Sequence, residues 1–251
     1  VALDVMGGDN APYEIVKGAV LAVNENKDLK VYLVGQSAVV HDTLNRLRGE
    51  GLVINMNALE IIEASEVITN DEAPVMAIRK KKDSSISVAM RLVKEEKADA
   101  FVSAGSTGAV LVGGQLVVGR LKGVERSPLA SLIPTQKGVS LLIDCGANVD
   151  SRSAHLIQYA VMGSIYMENV IGIKNPKVAI VNVGVEEEKG NALVKETFPL
   201  LKSRTDINFV GSIESRQIPY GDADVIVCDA FVGNAILKLF EGVAAVLLEE
   251  I

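Results

Sequence analysis

The chain is 251 residues long, 49% hydrophobic and 23% charged, with a formal net charge of -7. That is enough apolar chain to bury one large core or two intertwined lobes without covalent staples, while the acidic balance excludes general nucleic-acid binding, which draws on clustered Lys and Arg to displace phosphate counterions. The two cysteines, Cys145 and Cys228, are too few for a disulfide framework or a closed zinc site and fit a reducing cytoplasm.

The chain opens directly on a strand-like run at 1–5, with neither the basic region nor the cleavage site of a secretory signal. A helical pattern at 13–26, a strand at 31–34 and a helix at 38–48 follow. Further on, 85–96 reads as a helix, 100–102 as a strand and 107–118 as a helix. The mainly apolar stretch 108–119 falls short of the roughly 20 residues that span a bilayer. Strands at 129–133 and 141–143 precede a helix at 154–170, a strand at 178–183, a helix at 192–203 and a strand at 225–228. The last pattern, 234–251, is a strongly apolar helix whose apolar face calls for covering by something beyond Ile251. Short Val/Ile/Leu runs of this kind are strands covered on both faces. Their alternation with helices predicts an α/β fold, a three-layer α/β/α sandwich around a largely parallel or mixed sheet. No low-complexity linker, repeat or charge block divides the chain.

Four segments, 1–12, 100–112, 141–150 and 225–238, end an apolar run in a turn rich in Gly, Asn, Asp or Ser and then start a helix. Beyond the carboxyl ends of strands, such turns offer backbone amides to a phosphate or an oxyanion. Four of them on one sheet predict a cleft there. Each also has a plainer reading. Asp4, Gly7, Gly8, Asp9 and Asn10 fit a tight turn capped by Asp9 or Asn10. Ser103, Gly105, Ser106, Thr107 and Gly108 fit a capped helix with small residues for close packing. Asn148 and Asp150, after Asp144 and Gly146, read equally well as an Asx cap ahead of His155. Lys189 either brings a cation to a strand end or pairs locally with Glu186. Asp229, Gly233, Asn234 and Lys238 close the set, with Asn234 placed to cap the terminal helix. Arg79, Lys80, Lys81 and Lys82 form the dense cationic cluster, by default a solvated helix face. His41 and His155 read as surface or capping residues.

The absences are also informative. There is no G-x-S-x-G elbow, no Cys beside a His, no metal-ligand cluster and no Walker lysine, so neither metal nor cofactor is expected. No strand is followed by G-x-G-x-x-G with an acidic residue about 20 positions on, which argues against an NAD-dependent dehydrogenase.

Six segments in register, DVMGGDNAP (4–12), RKKKDSS (79–85), SAGSTGA (103–109), DCGANVD (144–150), NVGVEEEKGN (182–191) and DAFVGNAILK (229–238), resemble the bacterial phosphate acyltransferases of phospholipid synthesis, the PlsX family. The resemblance runs end to end. It implies an enzyme that makes acyl-phosphate from acyl-[acyl carrier protein] and inorganic phosphate; because a thiolate leaves readily and no nucleophile motif is present, no covalent enzyme intermediate is needed. It also implies a fold like that of phosphotransacetylases and isocitrate dehydrogenases, with two intertwined lobes around a cleft. The implied setting is a homodimer, cytoplasmic or peripheral on the inner membrane face, that supplies a membrane glycerol-3-phosphate acyltransferase.

On this reading the catalytic residues are Asp4, Asp9, Asn10, Ser106, Lys189 and Asn234, with Asp4 and Asp9 orienting donors. Substrate is bound by Gly7, Gly8, Arg79, Ser103, Gly105, Thr107, Gly108, Asn148, Asp150 and Gly233, and the lysines after Arg79 dock the carrier. The sequence departs from the family pattern at Ser106, usually Asn, at Cys145, usually Val, and at Ala230, commonly Gly. Only the first bears on chemistry, since a hydroxyl replaces an amide donor. Family chains also continue beyond the position of Ile251 through a helical hairpin linked to membrane contact. The alternatives are a short-chain acyl-coenzyme A:phosphate transferase like the phosphotransacetylases, and a non-catalytic scaffold for carrier protein.

Overall fold

A computed structural model of the chain describes residues 1–249. The last two positions of the terminal helical pattern, 250–251, lie outside the described residues. The chain divides into two compact units, Val1–Lys122 and Gly123–Ile251.

The first unit contains β1 (Ala2–Asp4), α1 (Tyr13–Glu25), β2 (Val31–Gly35), α2 (Ser37–Gly49), β3 (Leu59–Glu63), α3 (Pro74–Lys80), α4 (Ser85–Lys94), β4 (Phe101–Val102) and α5 (Thr107–Gly113). Its four-stranded sheet runs β3-β2-β1-β4, with every pairing parallel. Alternate residues of a strand point to opposite faces, and β2 shows the consequence. Val31 and Leu33 join the core under α1 and α2, with Val16, Val20, Leu44 and Leu47. Val34 joins the opposite core under α4, with Val88, Ala89 and Leu92.

The second unit contains β5 (Ala130–Thr135), β6 (Gly138–Ile143), α6 (Ser153–Tyr166), β7 (Lys177–Val181), α7 (Ala192–Lys202), β8 (Asn208–Ile213), β9 (Val225–Val227) and α8 (Ala230–Glu249). Its five-stranded sheet runs β5-β6-β9-β7-β8. Only the β5 hairpin is antiparallel among these pairings, and Pro134 sits on that edge strand, where a missing donor is tolerated. Leu141, Ile143, Val178, Ile180, Val225 and Val227 pack against α6 and α7. Leu142, Ala179 and Ile226 face the other way, toward Ile236, Leu237 and Phe240 of α8. Each unit therefore has helices on both faces of a sheet. The α/β fold is the one expected, but the four Gly-rich turns are divided between two sheets.

The elements that sequence periodicity missed have weak local signals. β3 carries charge at Glu60 and Glu63. β8 contains a bulge: Phe209 pairs with Val178 and Gly211 with Ala179, so Val210 is left over beside a glycine at φ +105°. α3 is only 7 residues long. The helices expected at 107–118 and 154–170 both finish in π-helical turns, Gly114–Val118 and Met167–Ile171. The terminal helix starts at Ala230, four residues before the predicted Asn234, because Asp229 Oδ1 accepts from the amides of Phe231 and Val232. Asp229 is the cap and Asn234 lies one turn inside.

Leu33 is fully buried while Leu21, on the outer face of α1, is 45% exposed. Leu33→Ala is expected to lower stability by about 2–5 kcal/mol, and Leu21→Ala by less than about 1 kcal/mol. Urea unfolding of the two variants checks this.

Candidate active site

In the first sheet the chain proceeds from β1 to β2 and β3 on one side and returns to β4 on the other. The switch point of the topology is therefore between β1 and β4, where ligands of open α/β sheets bind beyond the strand ends. Both flanking turns are tied there through one carboxylate. Asp4, fully buried at the end of β1, accepts the Met6 amide on Oδ1 at 3.1 Å. Its Oδ2 accepts the Ser103 hydroxyl at 2.7 Å, and Ser103 Oγ accepts the Gly105 amide at 3.0 Å. The two turns touch so closely that a Cβ on Gly7 would lie 2.5 Å from Asp4 Oδ2 and 2.8 Å from the Gly105 amide nitrogen. Gly8, at φ +101°, holds a conformation that a side chain would strain.

These turns keep donors in reserve. Ser106 is the N-cap of α5, its hydroxyl accepting from Ala109 at 3.4 Å. The amides of Gly7, Gly8, Ser106, Thr107 and Gly108 find no acceptor among the described residues. Neither Asp9 nor Asn10 caps α1, whose N-cap is Pro12 with no side-chain hydrogen bond; both are exposed at the strand end. Gly108 packs on α3, since its Cβ would lie 2.7 Å from Pro74 Cγ.

The turn after β6 uses its donors differently. Asp144 is fully buried and its Oδ1 accepts the amides of Leu129, Gly146 and Ala147. Its Oδ2 accepts the Asn148 amide and the Asn148 side-chain Nδ2. Asn148 Nδ2 also donates to the Ser127 carbonyl, so the carboxamide donor is committed to the turn. In the turn after β9, the amides of Ala230, Phe231, Val232 and Gly233 all have intrachain acceptors. A Cβ on Gly233 would lie 2.0 Å from the Asp144 carbonyl oxygen, which locks α8 against that turn.

The remaining predicted residues belong to both units. Asp150 lines a polar recess of about 610 Å³ with Arg126, Arg152, His155, Asn191 and Asp229. Sequence reading passed over Arg126 because a single Arg in a loop carries no pattern. Lys189 is held by Glu186 at 2.9 Å, and that hydrogen bond keeps the Glu186 carboxyl below its ordinary range. Asn234 is exposed on α8. Arg79 lines a groove between α3, α4 and the π-helical turn after α5. Lys81 Nζ is committed to Glu72 and to the Val67 carbonyl, both at 2.7 Å. Burial pushes the Cys145 thiol up to about 11 and the neighbouring Asp144 charge adds to this; burial also raises Cys228 well above its ordinary value. Neither has the lowered pKa of a nucleophilic cysteine. No group of His, Cys, Asp and Glu among the described residues could hold a metal ion.

The family described as "Fatty acid synthesis protein" matches residues 1–251. A phosphate acyltransferase of Clostridium perfringens is 48% identical over 251 residues, covering 100% of this chain and 73% of its own length. One from Alkaliphilus oremlandii is 50% identical over 245 residues, 98% of this chain and 71% of the relative. The chain belongs to the phosphate acyltransferase family. It is an acyltransferase of the PlsX type. Its fold is also that of the EutD phosphotransacetylase from Staphylococcus aureus, with a TM-score of 0.69 at 18% identity over 97% of this chain and 82% of that one. A branched-chain phosphotransacylase from Enterococcus faecalis gives 0.60 at 17% identity, covering 95% and 83%.

Two outcomes follow for this acyltransferase. Asp144→Asn puts an NH2 group among five donors and should lower stability by about 3–5 kcal/mol; Asp4→Asn, with two donors, should lower it by about 1–3 kcal/mol. Urea midpoints rank them. A thiol near 11 in place of an ordinary 9.0 leaves about a hundredfold less thiolate at pH 8. Iodoacetamide at that pH is therefore expected to leave Cys145 unmodified and activity intact until the protein is unfolded, as mass spectrometry would show.

Proposed function

We propose that this acyltransferase forms an acyl-phosphate from an acyl thioester on acyl carrier protein and inorganic phosphate, with the first-unit turns as the anion site. The observation that carries this reading is the pair of turns joined by Asp4 and Ser103, whose amides at Gly7, Gly8 and Ser106 to Gly108 lack intrachain acceptors. In the reaction, a phosphate oxygen attacks the thioester carbonyl carbon. The C–O bond forms, the C–S bond breaks, and the thiolate leaves with the proton that the hydrogen phosphate brought.

A thiolate needs little acid assistance as a leaving group, so positioning and donors aimed at the developing oxyanion supply most of the rate. Asp4 acts as a positioning residue: it fixes Ser103, and Ser103 fixes the Gly105 amide, which sets the course of the β4 turn. Asn10, exposed at the mouth of the β1 turn, offers its carboxamide to the incoming phosphate, while Asp9 beside it orients donors and does not touch the anion. Ser106 supplies an amide and fixes the start of α5. Lys189 spends its charge on Glu186.

The acyltransferase works in the cytoplasm as a homodimer at the inner membrane face, and its product passes to a membrane glycerol-3-phosphate acyltransferase. The support is α8, 20 residues long and apolar enough to cross a membrane, with 6% of its apolar window buried.

The test supplies phosphate with either acyl-[acyl carrier protein] or acetyl-coenzyme A. Thiol release that depends on phosphate and on the carrier-borne substrate, with a product trapped by hydroxylamine as a hydroxamate, is the expected result. Release without phosphate, or a preference for acetyl-coenzyme A, overturns the proposal.

A further inference from the structure

Four cations of the first unit share one groove although the chain as a whole is acidic. Arg79 at the end of α3, Lys82 in the connection that follows, and Arg91 and Lys94 at the end of α4 line one groove of about 470 Å³ with Ile78 and Leu116. Its one carboxylate, Glu95, is taken up by Lys97 at 2.8 Å. Arg79, Lys82 and Lys94 form no ion pair among the described residues. Lys81, between them in sequence, turns inward to Glu72 instead. Arg91 faces Asp83 and Glu95, but Arg79, Lys82 and Lys94 keep positive charge that no ion pair neutralises, in a chain of net charge -7. An anionic partner would relieve that repulsion.

The groove also has an apolar part, formed by Ile78, Leu116 and Val117. Leu116 is 52% exposed on the π-helical turn that continues α5. A concave surface with a cationic rim and an exposed leucine fits an amphipathic acidic helix, which offers carboxylates to the rim and one apolar side chain to the floor. A lipid surface would instead favour a broad convex or flat patch.

The groove also lies close to the candidate site. Pro74, at the start of α3, packs on Gly108, and Arg79 is near the other end of the same 7-residue helix. Such a helix is about 10 Å long. A partner docked at Arg79 is one short helix away from the SAGSTGA turn.

We propose that this groove is the docking surface for an acidic helix of the carrier protein that delivers the acyl thioester. The inference rests on the proposed carrier-borne donor and adds where that donor binds. The two exposed residues Lys82 and Lys94 are suited to a test by charge reversal in the full chain. In Lys82→Glu/Lys94→Glu, calorimetric affinity for acyl carrier protein should fall at least tenfold, and KM for the carrier-borne thioester should rise by a similar factor. Turnover of a small acyl-pantetheine thioester should stay within twofold of the parent. Unchanged carrier affinity overturns the proposal, and so does an equal loss with the small thioester. Binding of anionic lipid vesicles that is lost in the variant while carrier affinity persists also overturns it, in favour of a membrane surface. If the parent protein binds the carrier through this groove but shows no phosphate-dependent turnover, the docking surface stands and the proposed reaction fails.

Discussion

A carboxylate buried at the end of a central strand organises each unit. Asp4 closes β1 and Asp144 follows β6, and both are fully shielded from solvent. Removing an ion from water costs several kcal/mol unless donors replace the lost hydration, so each aspartate compels the turn that follows to fold back toward it. The Gly-rich composition of the turns is what permits this: Gly7 approaches Asp4 Oδ2 and Gly146 donates to Asp144 Oδ1 without a side chain in the way.

The same device has opposite consequences in the two units. Asp144 collects four backbone amides and a carboxamide, so the donors at Gly146, Ala147 and Asn148 are committed to the chain itself. Asp4 takes one amide and one hydroxyl, and the surrounding amides remain unpaired. A turn whose donors are already satisfied is scaffolding, because an external anion would have to displace a buried carboxylate. A turn with donors in reserve binds an anion at no such cost. This difference, and not the Gly-rich composition the turns share, is the ground for proposing the first-unit turns as the anion site.

Much of the fold was readable along the chain. The Val/Ile/Leu runs of β2, β7 and β9 place alternate residues into two cores, and that periodicity is a local property. The elements that escaped have mixed or interrupted patterns, as with Glu60 in β3 and Gly211 in β8. The site was readable in its residue types but not in its partners. Asp4 and Ser103 are 99 positions apart, and nothing in either motif states that one accepts from the other. Arg79 and Lys81 look alike in the sequence, yet one lines an open groove and the other is held by Glu72.

Composition and periodicity by themselves determined the α/β class, the sequence of strands and helices and the family motifs, because burial on one face or two is written in the spacing of apolar residues. Tertiary structure alone decided that the strands form two sheets, that β9 inserts between β6 and β7, and which amides remain without acceptors. Strand order and hydrogen-bond pairing depend on which distant segments meet, and a segment's own sequence carries no record of its partner.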